Sequence, residues 1–414
     1  MSSTATGTQR DSINVALIII CGCAIAILSF GPRSAMGLFF QPITEAKGWS
    51  RETFALAIAI QNLLWGAGQP LAGMMADRFG TWKTLTLGAA LYVSGLLIMS
   101  QADSPLALHI SAGVLIGLGI AFSSFTLVLA AFGRAVTPEK RSLAFGIGTA
   151  SGSLGQFLFA PLGIAFLQGF GWQQTLVIFS GLVMMIPLLA IALRGKSSDQ
   201  SAQTAAPEHQ QSLMQALAEA FGTRGYVLLT IGFFVCGFHV AFITVHLPPY
   251  IADLGLDPAW GATAIAVIGL CNIVGSLMSG YIGGRYSKAI FLSAIYAARS
   301  VVILLFILFP ATPVTILLFS GAMGLLWLST VPPTSGLVAV MFGPRYMATL
   351  FGFVFFSHQI GSFLGIWLGG KIYDETGSYD MIWWIGIALG VFAAVVHWPI
   401  EDKPVARMAN QVAE

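Results

Sequence analysis

The sequence predicts an all-α membrane protein, with twelve transmembrane helices in two six-helix, pseudo-symmetric bundles. Three observations carry this. The 414 residues are 56% hydrophobic and only 9% charged, whereas a soluble globular domain carries about 25% charged residues. The apolar residues gather into runs of about 20 positions or more, the length that crosses a bilayer as a helix. These runs fall as six, a polar stretch, and six more.

In chain order, residues 1–12 are polar and read as an N-terminal tail. A first bundle over 13–194 holds spans at 13–41, 52–76, 83–101, 105–133, 142–168 and 172–194. A linker follows over 195–220, rich in Ser, Gln, Ala and Asp from Lys196 to Gln211. The second bundle, 221–400, holds spans at 225–252, 259–283, 289–309, 313–342, 346–373 and 379–399, and 401–414 form a tail. Several spans exceed what a bilayer needs, so they are expected to tilt or protrude. The first run is too long for a cleavable signal and has no small-residue cleavage site. The four cysteines, Cys21, Cys23, Cys236 and Cys271, lie inside apolar runs and read as small buried hydrophobes. Cys21 and Cys23 point about 200° apart on a helix, poor geometry for one metal. No cofactor is expected. The glycine series at Gly146, Gly148, Gly152 and Gly155, and at Gly361, Gly365 and Gly369, lies within spans and lacks a Lys-Ser/Thr ending. It therefore reads as helix packing rather than a phosphate loop.

Charge placement orients the chain. Of 19 Lys and Arg, 14 fall on the face of the termini and linker, 3 on the opposite face, and Arg33 and Arg299 within spans. By the positive-inside rule both termini face the cytoplasm, in an inner (plasma) membrane if the source is bacterial. A net charge of +2, without basic patches interleaved with aromatics, argues against nucleic acid.

Between spans 2 and 3 lies a short charged turn, Gly73-Met-Met-Ala-Asp77-Arg78-Phe-Gly80-Thr-Trp-Lys83. Its glycines permit close approach of helix ends, and Asp77, Arg78 and Lys83 mark the water boundary. The pattern closely resembles the loop 2–3 signature of the major facilitator superfamily of transporters. A degenerate copy follows span 8, where Gly284 takes the acidic position before Arg285. The resemblance covers essentially the whole chain. It implies the major facilitator fold, alternating access, and a gating role for Gly73, Asp77, Arg78, Gly80 and Lys83.

The charges inside the spans select the cargo. All 17 carboxylates lie in loops, tails or span ends, so a cationic substrate has no buried anion to meet. The spans hold instead Arg33, Arg299, His239, His246 and His358. A guanidinium inside the membrane needs a partner or a water-filled cavity, and a substrate carboxylate can pair with it through two parallel hydrogen bonds. A small organic anion is the expected cargo. Arg33 follows Gly31-Pro32, where span 1 can bend, and reads either as a substrate contact or as snorkelling to headgroups. Arg299, in span 9, reads as a substrate contact or as bonded to carbonyls or to Tyr296. His239 and His358 are mid-span, either functional or satisfied buried histidines, and would be the groups to carry a coupling proton. His246 lies nearer the outer surface, as an outer gate or without a role. Asn272 and Gln61, with Asn62, could bond substrate or join helices.

Within the superfamily the chain looks most like the bacterial branch related to monocarboxylate porters and oxalate/formate exchangers. The likeness lies in Arg33-Ser-Ala-Met-Gly37-Leu-Phe39-Phe, Gly48-Trp49-Ser50-Arg51 and Gly171-Trp172. It departs at span 8, where such porters commonly carry an arginine and this chain has Asn272, Gly275 and Ser276. A monomer is expected. The competing reading is an efflux carrier for amphipathic or drug-like compounds, suggested by 12% aromatic residues. An intramembrane enzyme is disfavoured, because there is no His-x-x-x-His pair, Gly-x-Ser-x-Gly elbow or mid-span acid pair.

Overall fold

A computed structural model describes residues 4–136, 138–194, 211–343 and 346–406. Every regular element among them is helical. The first half comprises α1 (Thr4–Ser34), a 3-10 turn (Met36–Phe39), α2 (Phe40–Lys47), α3 (Arg51–Phe79), α4 (Thr81–Ser100), α5 (Pro105–Leu108), a π-helical stretch (His109–Leu115), α6 (Ile116–Phe122), α7 (Phe125–Ala135), α8 (Pro138–Val183) and α9 (Ile186–Ala190). The second comprises α10 (Leu213–Gly222), α11 (Arg224–Asp253), α12 (Ala259–Gly283), α13 (Lys288–Leu308), α14 (Pro313–Leu326), α15 (Val331–Phe342), α16 (Met347–Thr376) and α17 (Asp380–His397). Among the described residues, ten helices are long and apolar enough to cross a membrane. The protein is a multi-pass, all-α membrane protein.

Spans 5 and 6 are separated as the sequence reading expects: α8 is two helices joined at Gly171, whose φ of 75° and ψ of 170° are not helical; glycine tolerates this conformation, and Trp172 restarts the helix. Two departures from the sequence reading have local causes. Span 10 is not continuous: it breaks between Leu326 and Val331, and α15 restarts with Pro332 and Pro333 in its first turn, where missing N–H groups cost nothing. The linker's polar part, 195–210, lies outside the described residues, but its end is the helix α10. That helix begins with a capping box in which Ser212 and Gln215 bond each other's backbone N–H groups.

The buried apolar side chains form two clusters. One draws on α1 to α9, joined by Ala241, Val245, Ala262 and Ile366; the other draws on α10 to α17, joined by Ala160. Lipid is as apolar as leucine, so close backbone packing and hydrogen bonds, not burial from water, hold such helices together.

The halves meet along α3 against α16 and α8 against α12, and both contacts open in the same direction. At the Arg51 end, a Cβ on Gly370 would lie 2.6 Å from the Cβ of Ala55 and 2.8 Å from the Arg51 carbonyl. At mid-depth, a Cβ on Gly66 would lie 2.6 Å from Cγ of Gln359. At the far end, a Cβ on Gly73 or Gly352 would meet nothing within 4 Å. Along α8 and α12, a Cβ on Gly269 would lie 2.9 Å from the Phe157 amide nitrogen, whereas one on Gly146 or Gly280 would meet nothing within 4 Å among the described residues. Among the described residues the halves therefore pack tightly at the Arg51 face, and the glycines toward the loop 2–3 face have open space beside them.

Candidate substrate site and gates

Arg33 closes the last turn of α1, after Pro32. Its Nη2 donates to Oδ1 of Asn62 on α3 at 2.6 Å, and Asn62 is held in turn by donating Nδ2 to the Ile58 carbonyl. The guanidinium carbon lies 4.5 Å from the ring centroid of Trp65 and 5.2 Å from that of Phe30. Such stacking holds the plane of the fork while leaving its edge free. Arg33 is half-buried, and its Nε has no partner. Neither the Trp65 Nε1 nor the Tyr92 hydroxyl, both buried, has a partner among the described residues. Among the described residues no carboxylate pairs with Arg33.

The aromatic frame runs from the first half into the second. Trp65 meets Phe355 of α16 edge-on at 5.5 Å, and Phe355 stacks on His358 at 5.5 Å with an interplanar angle of 8°. Arg33, Asn62 and His358 thus share one mid-depth region. Phe30, Trp65, Tyr92 and Phe355 belong to it too, and sequence reasoning missed them; an aromatic in an apolar run carries no signal separating a cavity wall from lipid contact.

The other sequence-picked residues lie elsewhere. Arg299 is fully buried in α13 and donates Nε and Nη2 to the Leu326 carbonyl at 3.2 and 2.7 Å, with a further short bond from Nη2 to the Trp327 carbonyl. Those carbonyls are free because span 10 breaks there. Asn272 serves the same break. Its Oδ1 accepts from the Leu328 amide at 3.0 Å and from Ser276, and its Nδ2 donates to Ser153 of α8 at 2.9 Å. Non-helical backbone at membrane depth persists only where the protein satisfies it, and Asn272 and Arg299 do so here. Replacing Asn272 by Leu should strand the Leu328 amide and cost about 1–3 kcal/mol. The expected result is a clear fall in thermal midpoint with unchanged ligand affinity in the folded fraction; an unchanged midpoint would show that the bond is dispensable. Gln61 donates to the Ala112 carbonyl at 2.8 Å, a group exposed by the π-helical stretch. His239 is buried against α17, donating Nε2 to the Gly386 carbonyl at 2.7 Å, while its Nδ1 has no partner.

The Arg51 face is held shut by a dense set of contacts between the halves. Arg51 bonds Asp253 bidentately, both distances 2.6 Å, and donates to the Tyr379 hydroxyl at 2.9 Å. Its guanidinium lies 3.7 Å above the Tyr373 ring. Asp374 of α16 accepts the backbone amides of Arg51 and Glu52 at 3.0 and 2.6 Å, so the second half caps the first turn of α3. Trp367 Nε1 donates to Glu52 at 2.9 Å. His246, fully buried, joins the lock to the core. The Tyr379 hydroxyl accepts from Arg51 and is left to donate to His246 Nδ1 at 3.2 Å, and His246 Nε2 then donates to the Ile366 carbonyl at 2.8 Å. At the opposite face Arg78 and Lys83 are exposed, Gly80 adopts φ 95° between α3 and α4, and Asp77 lies in the last turn of α3.

The chain is similar over nearly its full length to two curated proteins. It is 26% identical over 405 residues to an uncharacterized MFS-type transporter, YcxA of Bacillus subtilis (strain 168), covering 93% of this chain and 94% of that one. It is 25% identical over 409 residues to monocarboxylate transporter 13 of Bos taurus, covering 96% and 93%. Among solved structures, a bacterial homolog of the human lysosomal transporter Spinster, inward-facing and unoccupied, superposes with a TM-score of 0.70 at 16% identity, covering 93% of this chain and 96% of that one. The Major Facilitator Superfamily profile matches residues 22–366, and the chain belongs to that superfamily of membrane transporters.

Proposed function

We propose that this protein is a secondary transporter for a small, monocarboxylate-like organic anion, with Arg33 as the group that holds the carboxylate. Membership of the superfamily makes it a transporter, not an enzyme, working by alternating access. The observation that carries the anion reading is the contrast between its two span-interior arginines. Arg33 is only partly buried in an aromatic frame with one bond to Asn62, whereas Arg299 is sealed and bonded to carbonyls. The relative named a monocarboxylate transporter supports the same cargo class. His358, sharing the Arg33 region, is the second member of the proposed site. His239, Asn272, Gln61 and Arg299 act behind it, positioning helices.

The architecture belongs to the same proposal. Adding α3 to the ten apolar helices, and counting α8 as two across Gly171, makes twelve spans, six in each half. The bundles sit in a bacterial inner membrane as a monomer, with both termini and the loop 2–3 face in the cytoplasm. The face with open space beside its glycines is then the cytoplasmic one, and the state is inward-open. Gly73, Asp77, Arg78, Gly80 and Lys83 form the inner gate, which closes when the Arg51 lock opens.

A thermal-shift screen of organic acids on the purified protein tests the cargo class, since ligand that binds the folded state raises its apparent stability. Stabilisation by carboxylates, absent from matched amides and amines, is expected; stabilisation by neutral amphiphiles alone would favour the efflux reading. Coupling is tested in proteoliposomes with an acidic exterior and no anion gradient. A bound anion raises the basicity of a nearby imidazole, so anion and proton would cross together. Wild type should accumulate anion; His358→Gln should not, yet should still exchange anion for anion. Accumulation surviving in that variant would remove the histidine from the coupling step.

A further inference from the structure

The lock at the Arg51 face is also a hydrogen-bond chain with a direction. The Ile366 carbonyl can only accept, so His246 Nε2 carries the proton of their 2.8 Å bond. A neutral imidazole then offers Nδ1 as an acceptor, and it takes the Tyr379 O–H at 3.2 Å. With its proton so placed, the Tyr379 oxygen accepts from Arg51 Nη1 at 2.9 Å. The order Arg51 to Tyr379 to His246 to Ile366 therefore requires a neutral imidazole. A second proton, on Nδ1, would leave the Tyr379 O–H without its acceptor. It would also set two cations, Arg51 and His246, on one hydroxyl oxygen.

The chain crosses the seam between the halves. Arg51 belongs to α3, whereas His246 and Asp253 (α11), Ile366 (α16) and Tyr379, which precedes α17, all belong to the second half. Opening this face carries Arg51 away and leaves the others together, with Asp253 stripped of its cation. The Tyr379 oxygen and Asp253 Oδ2 are bonded to the same nitrogen, Arg51 Nη1, at 2.9 and 2.6 Å, so they are neighbours. Once that nitrogen is gone, the Tyr379 O–H can turn to the Asp253 carboxylate. Its oxygen is then free to accept from a protonated His246 Nδ1. Arg51 and Asp253 are partly exposed, so water at this face can deliver the proton.

We propose that opening of the Arg51 face takes up one proton at His246 Nδ1 and reverses the chain, so that it runs from His246 to Tyr379 to Asp253. Closing returns the proton to water as Arg51 reclaims Tyr379. His246 is thus a positioning residue, acting on Arg51 through Tyr379. The inference rests on alternating access alone, not on the cargo or on the role of His358. The groups around the imidazole leave this role to it. Phe40 of α2 and Phe242 of α11 pack against the ring, with centroids at 5.2 and 5.4 Å. On α3, Glu52 is bonded to Trp367. On α11, Tyr250 meets Tyr379 edge-on and His239 is bonded to the Gly386 carbonyl. On α16, the Tyr373 ring lies against Arg51, and Asp374 holds the amides of Arg51 and Glu52. Asp380 is exposed in the first turn of α17.

The test measures distances between spin labels at Leu106 and Leu254, exposed on opposite halves, in the full chain in lipid. The pH is varied between about 5 and 8, the range in which an imidazole changes charge. One proton gained on opening makes the ratio of open to closed rise as pH falls, by up to about tenfold per unit. Wild type should therefore gain a longer distance component in acid. His246→Gln can still accept from Tyr379 and donate to the Ile366 carbonyl, but it takes no proton, so it should stay closed across the range. Tyr379→Phe cuts the chain while keeping both bonds between Arg51 and Asp253, and it too should lose the response. A wild-type distribution that does not change with pH overturns the proposal. So does acid opening that survives undiminished in either variant; in His246→Gln it would place the titration on Asp253 or Asp374.

Discussion

Arg33→Lys is expected to weaken anion binding tenfold or more, and Arg33→Ala to abolish it. The guanidinium has several jobs at once. One nitrogen is spent on Asn62, the plane rests on Trp65, and the remaining edge is what a carboxylate can approach. A lysine ammonium has no plane to stack and no fork, so it can keep Asn62 or meet the anion, but cannot present two parallel donors. Losing one charge-assisted bond corresponds to roughly 1.5–3 kcal/mol, a factor of about ten to a hundred in affinity. Binding is measured on the purified protein and uptake in proteoliposomes. Arg299→Lys is the control: it cannot reach two carbonyls as the guanidinium does, so it should lower stability while the folded fraction keeps its affinity. Equal anion affinity in wild type and Arg33→Lys would remove Arg33 from the site.

How much of this was visible in the residues depends on the range of the interaction. The multi-pass helical fold follows from run length, because a bilayer imposes one length on every span. Arg33 could be singled out for a similar reason: a charge inside an apolar run is conspicuous wherever its partners lie. Its partners were not legible. Asn62 sits 29 positions away and Phe355 belongs to the other half, so only the packing of α1, α3 and α16 brings them together. Arg51 shows the same limit more sharply. On the sequence it counted as one of three charges on the face opposite the termini and as the last residue of the Gly48-Trp49-Ser50-Arg51 likeness, with no partner named, yet it binds residues about 200 and 330 positions downstream. The break in span 10 left a faint trace in Pro332-Pro333. Carbonyl bonding was one of the sequence readings of Arg299, but which carbonyls, and that a break frees them for Arg299 and exposes the Leu328 amide to Asn272, could not be read from an apolar run.

Arg51→Ala should open the Arg51 face. The substitution removes both bonds to Asp253, the bond to Tyr379 and the stacking on Tyr373, and it leaves the Asp253 carboxylate without its cation. The Arg51 and Asp253 side chains are 15% and 22% exposed, so water screens part of the interaction. Truncating a charge pair at an interface costs about 2–5 kcal/mol when desolvated, and the lower end suits this exposure. About 1.4 kcal/mol is already a tenfold change in population, so the closed state should lose at least that much ground. Asp374 still caps α3, which makes Arg51→Ala with Asp374→Asn the stronger opener. Spin labels at Leu106 and Leu254, exposed on opposite halves, report the separation. Arg51→Ala should add a longer distance component, and the double variant a larger one. Asp77→Asn, at the opposite face where the inner gate is proposed, should instead favour the present state and add no longer component. An unchanged distance distribution in the double variant would show that this network decorates a closure held by helix packing alone.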